Sequence, residues 1–164
     1  MSERTEEEIR SKFLGTELTK TIFRMKGKEM VRYSLAIGDT NPKYTAVKKD
    51  ANGKDDYSGI VAHPAYAATF TVDALFKLAD AKDADGEALI INIGKLLHTG
   101  QAYDYTGCEP LRDGDKLYTQ GKISNIFIKS NILWIEVTME TRNKEGDKLY
   151  CKCVATVGIR KGGY

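Results

Sequence analysis

Few side chains in this sequence can move a proton near neutral pH. The only imidazoles are His63 and His98. A histidine titrates at about 6.5 when unperturbed, which suits general acid–base work. His63 is followed by Pro64 at the head of the most apolar segment. It reads either as a residue bonded to backbone where a helix begins, or as an acid/base. His98 reads as a structural strand residue or as a site residue. Asp39 and Asn41 lie in the turn-forming run Asp39-Thr40-Asn41-Pro42-Lys43-Tyr44. Asp39 can form the turn, or act as acid or base if burial raises its pKa toward neutrality. Tyr44, ordinarily near 10, is a poor general base. It can donate a hydrogen bond, hold water or simply pack.

Other chemistries find less support. Cys108, Cys151 and Cys153 are the only cysteines, and no second Cys/His pair completes a zinc site. They read as reduced thiols, which points to a cytoplasmic setting. The 25 basic and 23 acidic residues leave a net charge of +2, too balanced for a dedicated nucleic-acid binder. Lys43, Lys48, Lys49 and Lys54 are interleaved with Asp50, Asp55 and Asp56 and read as a solvated loop over residues 48–58. No apolar run approaches the ~20 residues of a membrane helix. The acidic start, Met-Ser-Glu-Arg-Thr-Glu-Glu-Glu, lacks a signal peptide's apolar stretch. With 164 residues, 41% hydrophobic and 29% charged, the chain reads as one folded domain over residues 1–164.

The elements that must position these residues are legible in outline. Thr5 and Glu8 form a capping box ahead of Ile9, Phe13 and Leu14. Residues 19–25 read as a short strand and 28–37 as a helix, with Gly38 at the left-handed position beyond it. Pro64 suits a first helical turn. After it Ala67, Ala68, Phe70, Thr71, Ala74, Leu75 and Leu78 lie on several faces, as in a helix buried on much of its circumference. Strand regions follow over 90–105 and 116–127. Then Leu133, Ile135, Val137 and Met139 alternate with Glu136, Thr138 and Glu140. Beyond the turn Asn143-Lys144-Glu145-Gly146-Asp147, a second inward set runs Leu149, Cys151, Cys153, Ala155, Val157, Ile159. Gly162-Gly163 reads as a flexible tail. The expected class is α+β: four or five antiparallel strands with one apolar face, covered by the long helix.

That arrangement suggests the hotdog fold, and four segments in order make the resemblance specific. They are Tyr33-Ser34-Leu35-Ala36-Ile37-Gly38-Asp39-Thr40-Asn41-Pro42-Lys43-Tyr44, then Gly59 to Pro64, Leu97-His98-Thr99-Gly100-Gln101, and Pro110-Leu111-Arg112-Asp113-Gly114-Asp115. They resemble the signatures of the MaoC-like, (R)-specific enoyl-CoA hydratase and 3-hydroxyacyl thioester dehydratase family. Pro64 and the longer 48–58 loop look most like its N-terminal, dehydratase-like branch. The resemblance implies hydration of a trans-2-enoyl thioester, or the reverse dehydration, without metal or redox cofactor. It implies Asp39 as the catalytic aspartate, aimed by the Asn41-Pro42 turn. The motif's histidine position holds Tyr44. The carbonyl-polarising N–H falls at Pro64, which has none, so Ala65 or Tyr66 would have to supply it. His63 becomes a replacement acid/base or thioester contact, and His98 a residue of the acyl site.

Three functions follow from that resemblance. The first is an enoyl-CoA hydratase or dehydratase lyase of fatty-acid or acyl-CoA metabolism, using Asp39 with Tyr44 or a histidine. The second is a non-catalytic subunit that shapes an acyl pocket while a partner hotdog supplies an intact Asp/His pair. The third is an acyl-CoA thioesterase. All take acyl-CoA or an acyl-carrier-protein thioester. Pairing with another hotdog subunit, as homodimer or heterodimer, would cover the sheet's open edge. Neither nucleic acid nor membrane is an expected partner.

Overall fold

The computed structural model describes residues 4–164. Met1–Glu3, part of the acidic start, lie outside the described residues. The chain opens on α1 (Glu6–Phe13), capped by Thr5 and Glu8 in the expected box. Strand β1 (Thr21–Arg24) and helix α2 (Gly27–Ala36) follow. A four-residue helix, α3 (Pro42–Thr45), comes next. The segment read as a solvated loop contains two short paired strands, β2 (Lys48–Lys49) and β3 (Asp55–Asp56). Lys49 and Asp55 close that hairpin with an ion pair at 2.6 Å. Two residues per strand and no apolar alternation leave nothing for a periodicity argument to detect.

The expected long helix begins as a 3-10 turn over Pro64–Ala67, becomes α4 (Ala68–Phe76), and ends as a second 3-10 turn over Lys77–Asp80. Its inner residues Phe70, Thr71, Ala74, Leu75 and Leu78 are buried, while Asp73 and Phe76 are exposed. It packs against a five-stranded antiparallel sheet in the order β1-β5-β6-β7-β4. The long strands are β4 (Leu96–Asp104), β5 (Lys116–Lys129), β6 (Ile132–Arg142) and β7 (Leu149–Arg160). This is the hotdog fold, a curled antiparallel sheet wrapped on a helix.

Alternation decides which face turns inward. Leu133, Ile135, Val137 and Met139 are buried, as are Cys151, Cys153, Ala155, Val157 and Ile159. Thr138 and Glu140 face out. Each aliphatic side chain taken out of water in this way contributes roughly 1.5–3 kcal/mol. The sheet starts later than expected: residues 90–95 are a bend and a 3-10 turn, and β4 begins at Leu96. The β5–β6 hairpin turns on Ser130 and Asn131, both at positive φ (54° and 58°), the pair of conformations a type I′ turn needs. Gly162-Gly163 is docked rather than free. The Gly163 carbonyl accepts from the Ile91 and Asn92 N–H groups, and Gly163 and Tyr164 are buried.

Helix α2 is held at its start by a loop rather than by its own cap. Lys26 makes no capping bond through its side chain, and the Gly27 N–H donates instead to Asp113 Oδ1 at 2.6 Å. The loop carrying Asp113 also exchanges backbone bonds with Met25 from Gly114 and Asp115. One of the four family-like segments therefore anchors the helix that leads to Asp39. Gly27 has no room for a side chain: a Cβ there would sit 2.3 Å from Tyr57 Cβ. Gly27→Ala should destabilise the fold by about 1–3 kcal/mol through overpacking, read as a lower urea midpoint at unchanged slope.

Candidate active site

Asp39 is fixed by the end of α2. Gly38 takes φ +83°, where glycine is favoured. Its N–H donates to Leu35 O at 3.1 Å, and the Asp39 N–H donates to Ser34 O at 2.9 Å. Together these form a Schellman turn, which ties the Asp39 backbone to the helix. The side chain is fixed as well. Asp39 Oδ1 accepts the Asn41 N–H at 2.8 Å, which leaves Oδ2 to point outward from the turn. Asn41 in turn caps α3, accepting the Lys43 N–H at 3.0 Å.

The group facing Asp39 Oδ2 is His63, with Nε2 at 3.3 Å. Both side chains keep some access to solvent, 22% for His63 and 31% for Asp39. His63 arrives from the other direction in the fold. The Ala62 N–H donates to Leu111 O, and Val61 bridges Arg112, so this segment runs beside the 111–112 loop. His63 Nδ1 accepts the Ala65 N–H at 3.0 Å. With Nδ1 accepting, a neutral ring carries its proton on Nε2, the nitrogen that faces the carboxylate.

Tyr44 joins this pair through its ring. It meets His63 edge to face, with centroids 5.0 Å apart and planes at 71°. Tyr44 and His63 both line a cavity of about 220 Å³, with Val61, Pro64, Tyr105 and Tyr150 among its other walls. Lys43 reaches over the Tyr44 ring at 5.7 Å. Among the described residues, no group of three or more His, Cys, Asp or Glu side chains could hold a metal ion. The Cys151 thiol is buried in the core, and burial pushes its pKa up to about 12, so it stays protonated.

The structure therefore brings together Asp39, Asn41, Tyr44 and His63 and separates other expected members. The Ala65 N–H is taken by His63 Nδ1, and the Tyr66 N–H donates to His63 O at 2.8 Å. Neither is free to polarise a substrate carbonyl. The cause is local: His63 caps the turn with both its ring and its carbonyl. His98 is exposed on β4, paired opposite Val157 beside an irregularity in register. It lies seven residues before Tyr105, roughly 23 Å along an extended chain, and Tyr105 is the residue that reaches the His63 turn. The Tyr105 hydroxyl donates to Pro64 O. From α2, the Tyr33 hydroxyl donates to Ala65 O at 3.0 Å. No spacing in the sequence marks Tyr105, which sits just beyond a strand. Tyr33 falls inside a family-like segment, but only its contact gives it a part.

Comparison with known proteins bears on the family and the fold. A family profile described as FAS1-like, dehydratase domain region, matches residues 12–152. Among curated protein sequences none matches significantly. Several solved structures share the fold. The C-terminally truncated HadBC (3R-hydroxyacyl-ACP dehydratase) complex from Mycobacterium tuberculosis aligns with TM-score 0.66 and 14% identity, over 89% of this chain and 96% of that one. A MaoC-like dehydratase from Rhodospirillum rubrum aligns with TM-score 0.63 and 14% identity, over 92% and 94%. The R-hydratase PhaJ1 from Pseudomonas aeruginosa gives TM-score 0.60 and 13% identity, over 92% and 84%. At such identities the structural likeness is one of fold, and the family rests on the profile. The chain shares the hotdog fold of these structures, and it belongs to the family of the FAS1-like dehydratase domain region.

Proposed function

We propose that this protein hydrates trans-2-enoyl thioesters or dehydrates (3R)-hydroxyacyl thioesters, with Asp39 and His63 as its acid–base pair. One observation carries the reading: His63 Nε2 lies 3.3 Å from Asp39 Oδ2. The motif's own histidine position holds Tyr44, yet an imidazole still faces the carboxylate. It comes from the start of the central helix instead of from the turn. In hydration the water oxygen bonds C3 of the enoyl group, Asp39 Oδ2 takes one water proton, and Asp39 then gives that proton to C2, which regenerates the carboxylate. His63, protonated on Nε2, donates toward the carboxylate and the oxygen being moved. Tyr44 supplies the wall that holds the imidazole edge to face.

The reading of a non-catalytic binding subunit rested on the missing motif histidine. With His63 beside Asp39, that argument loses its force. A second hotdog subunit is still part of the proposal. β4 is an open edge of the sheet, an arrangement that favours pairing with another strand. Fold relatives described as complexes, HadBC and ChsH1–ChsH2, agree with it. The substrate would be acyl-CoA or an acyl-carrier-protein thioester of fatty-acid or acyl-CoA metabolism.

Purified protein should consume crotonyl-CoA or a longer 2-enoyl-CoA, followed as loss of the enoyl thioester absorbance. Asp39→Asn and His63→Gln should each lower kcat by about 10²–10⁴-fold, the usual contribution of a positioned acid or base. Tyr44→Phe, which keeps the ring, should stay near wild type, while Tyr44→Ala should not. Turnover unchanged in His63→Gln would sink the assignment. In sedimentation, the protein should run at twice its 18.3 kDa chain mass. A monomer at all concentrations would remove the self-pairing edge and leave an unlike subunit as the partner.

A further inference from the structure

Two tyrosines hold the turn that carries His63, and neither belongs to the proton-transfer pair. The Tyr105 hydroxyl donates to Pro64 O, and the Tyr33 hydroxyl donates to Ala65 O at 3.0 Å. Within the same turn the Ala65 N–H donates to His63 Nδ1 at 3.0 Å. The peptide unit joining Pro64 to Ala65 is thus gripped at both polar ends, its carbonyl by Tyr105 and its N–H by the imidazole. Because a peptide unit is planar, tilting it moves both ends at once. Its tilt sets where the Ala65 N–H points, and that N–H anchors the His63 ring.

We infer that Tyr105, aided by Tyr33, is a positioning residue that aims His63 Nε2 at Asp39. This rests on the acid–base reading of that pair. The two clamps come from different parts of the fold. Tyr105 follows β4 directly and stacks on Tyr103, with centroids 6.2 Å apart and planes at 21°. Its phenol is pushed well above the ordinary tyrosine range, first by burial and then by the Cys151 thiol and Tyr103 beside it, so it remains a donor. Tyr33 sits on α2, the helix whose end fixes Asp39, and its ring meets Tyr66 edge to face at 5.2 Å. One helix therefore anchors both members of the pair. The two clamps are unequal, because Tyr105 grips the carbonyl of the same peptide unit whose N–H holds the imidazole, whereas Tyr33 grips the next carbonyl along. Tyr105 is the stronger lever.

The test deletes one hydroxyl at a time, as Tyr105→Phe and Tyr33→Phe. Steady-state kinetics run on the 2-enoyl thioester that wild type consumes. The second readout is the ¹⁵N correlation of the imidazole ring. His63 and His98 are the only histidines, so His98→Gln assigns the spectrum. Tyr105→Phe should melt like wild type and keep its KM. Its kcat should fall about tenfold or more, since misplacement by ~1 Å can cost 10²-fold. The His63 signals should move from the Nε2–H tautomer toward a mixture. Tyr33→Phe should change both in the same sense and by less. Unchanged kcat and unchanged ring signals in Tyr105→Phe would overturn the proposal, as would a loss of activity that only tracks a loss of folded protein. If Tyr105→Phe does not fold, Tyr33→Phe decides by the same two readouts. If wild type turns over no acyl thioester while removal of the Tyr105 hydroxyl still shifts the His63 signals, the hydratase reading fails and the clamp stands.

Discussion

A curled sheet with an apolar inner face has to be covered, and in this protein the central helix covers it, with Ile9 and Phe13 of α1 buried in the same core. Phe70, Ala74, Leu75 and Leu78 on the central helix share one core with the buried rows of β5, β6 and β7. Where the helix lies is set by that burial, so where it begins is set as well. Its first turn lands beside α2 and the 111–112 loop. The polar groups that every helix leaves unpaired at its start fall at the one place where three separate stretches of chain converge. Site geometry is a consequence of core packing here, because the cover helix cannot shift without exposing apolar surface.

That convergence explains how the chain keeps an imidazole against Asp39 although the usual motif position holds Tyr44. The turn after α2 and the turn before the cover helix face each other, and a histidine on either could reach the carboxylate. In this chain the second turn supplies it, and the first supplies an aromatic wall. The arrangement has a cost. By capping its own turn, His63 takes up the N–H groups of Ala65 and Tyr66, which would otherwise serve as donors. In the proposed reaction, proton handling and carbonyl polarisation would compete for the same few backbone groups.

Much of this was legible in the sequence because the signals were strong where burial was one-sided. Alternation in Leu133–Met139 and Cys151–Ile159, the Thr5–Glu8 box and the glycine after α2 each state a local rule that tertiary structure obeys. The segment over 48–58 was opaque, since two-residue strands carry no period. The Ser130-Asn131 turn was opaque too, lacking the glycine that usually announces positive φ. At the site, the sequence brought Asp39, Tyr44 and His63 into view singly. Their meeting depends on long-range packing that no spacing encodes. His98 shows the limit of a motif-like segment: membership suggested a place at the site, and the structure sets it exposed on β4, seven residues before Tyr105. Tyr105 was invisible for the same reason His63 was ambiguous, because its contact lies 41 positions away in the chain.

The three cysteines give the molecule a built-in clock for its own opening. Cys108 is half-buried at the cavity wall, whereas Cys151 and Cys153 are buried on the inner face of β7. A thiol reagent meets Cys108 without any change of structure. It meets the other two only when the core around β7 opens. Modification of the inner pair thus reports how often the hotdog unwraps, a local-opening equilibrium that activity measurements do not sense.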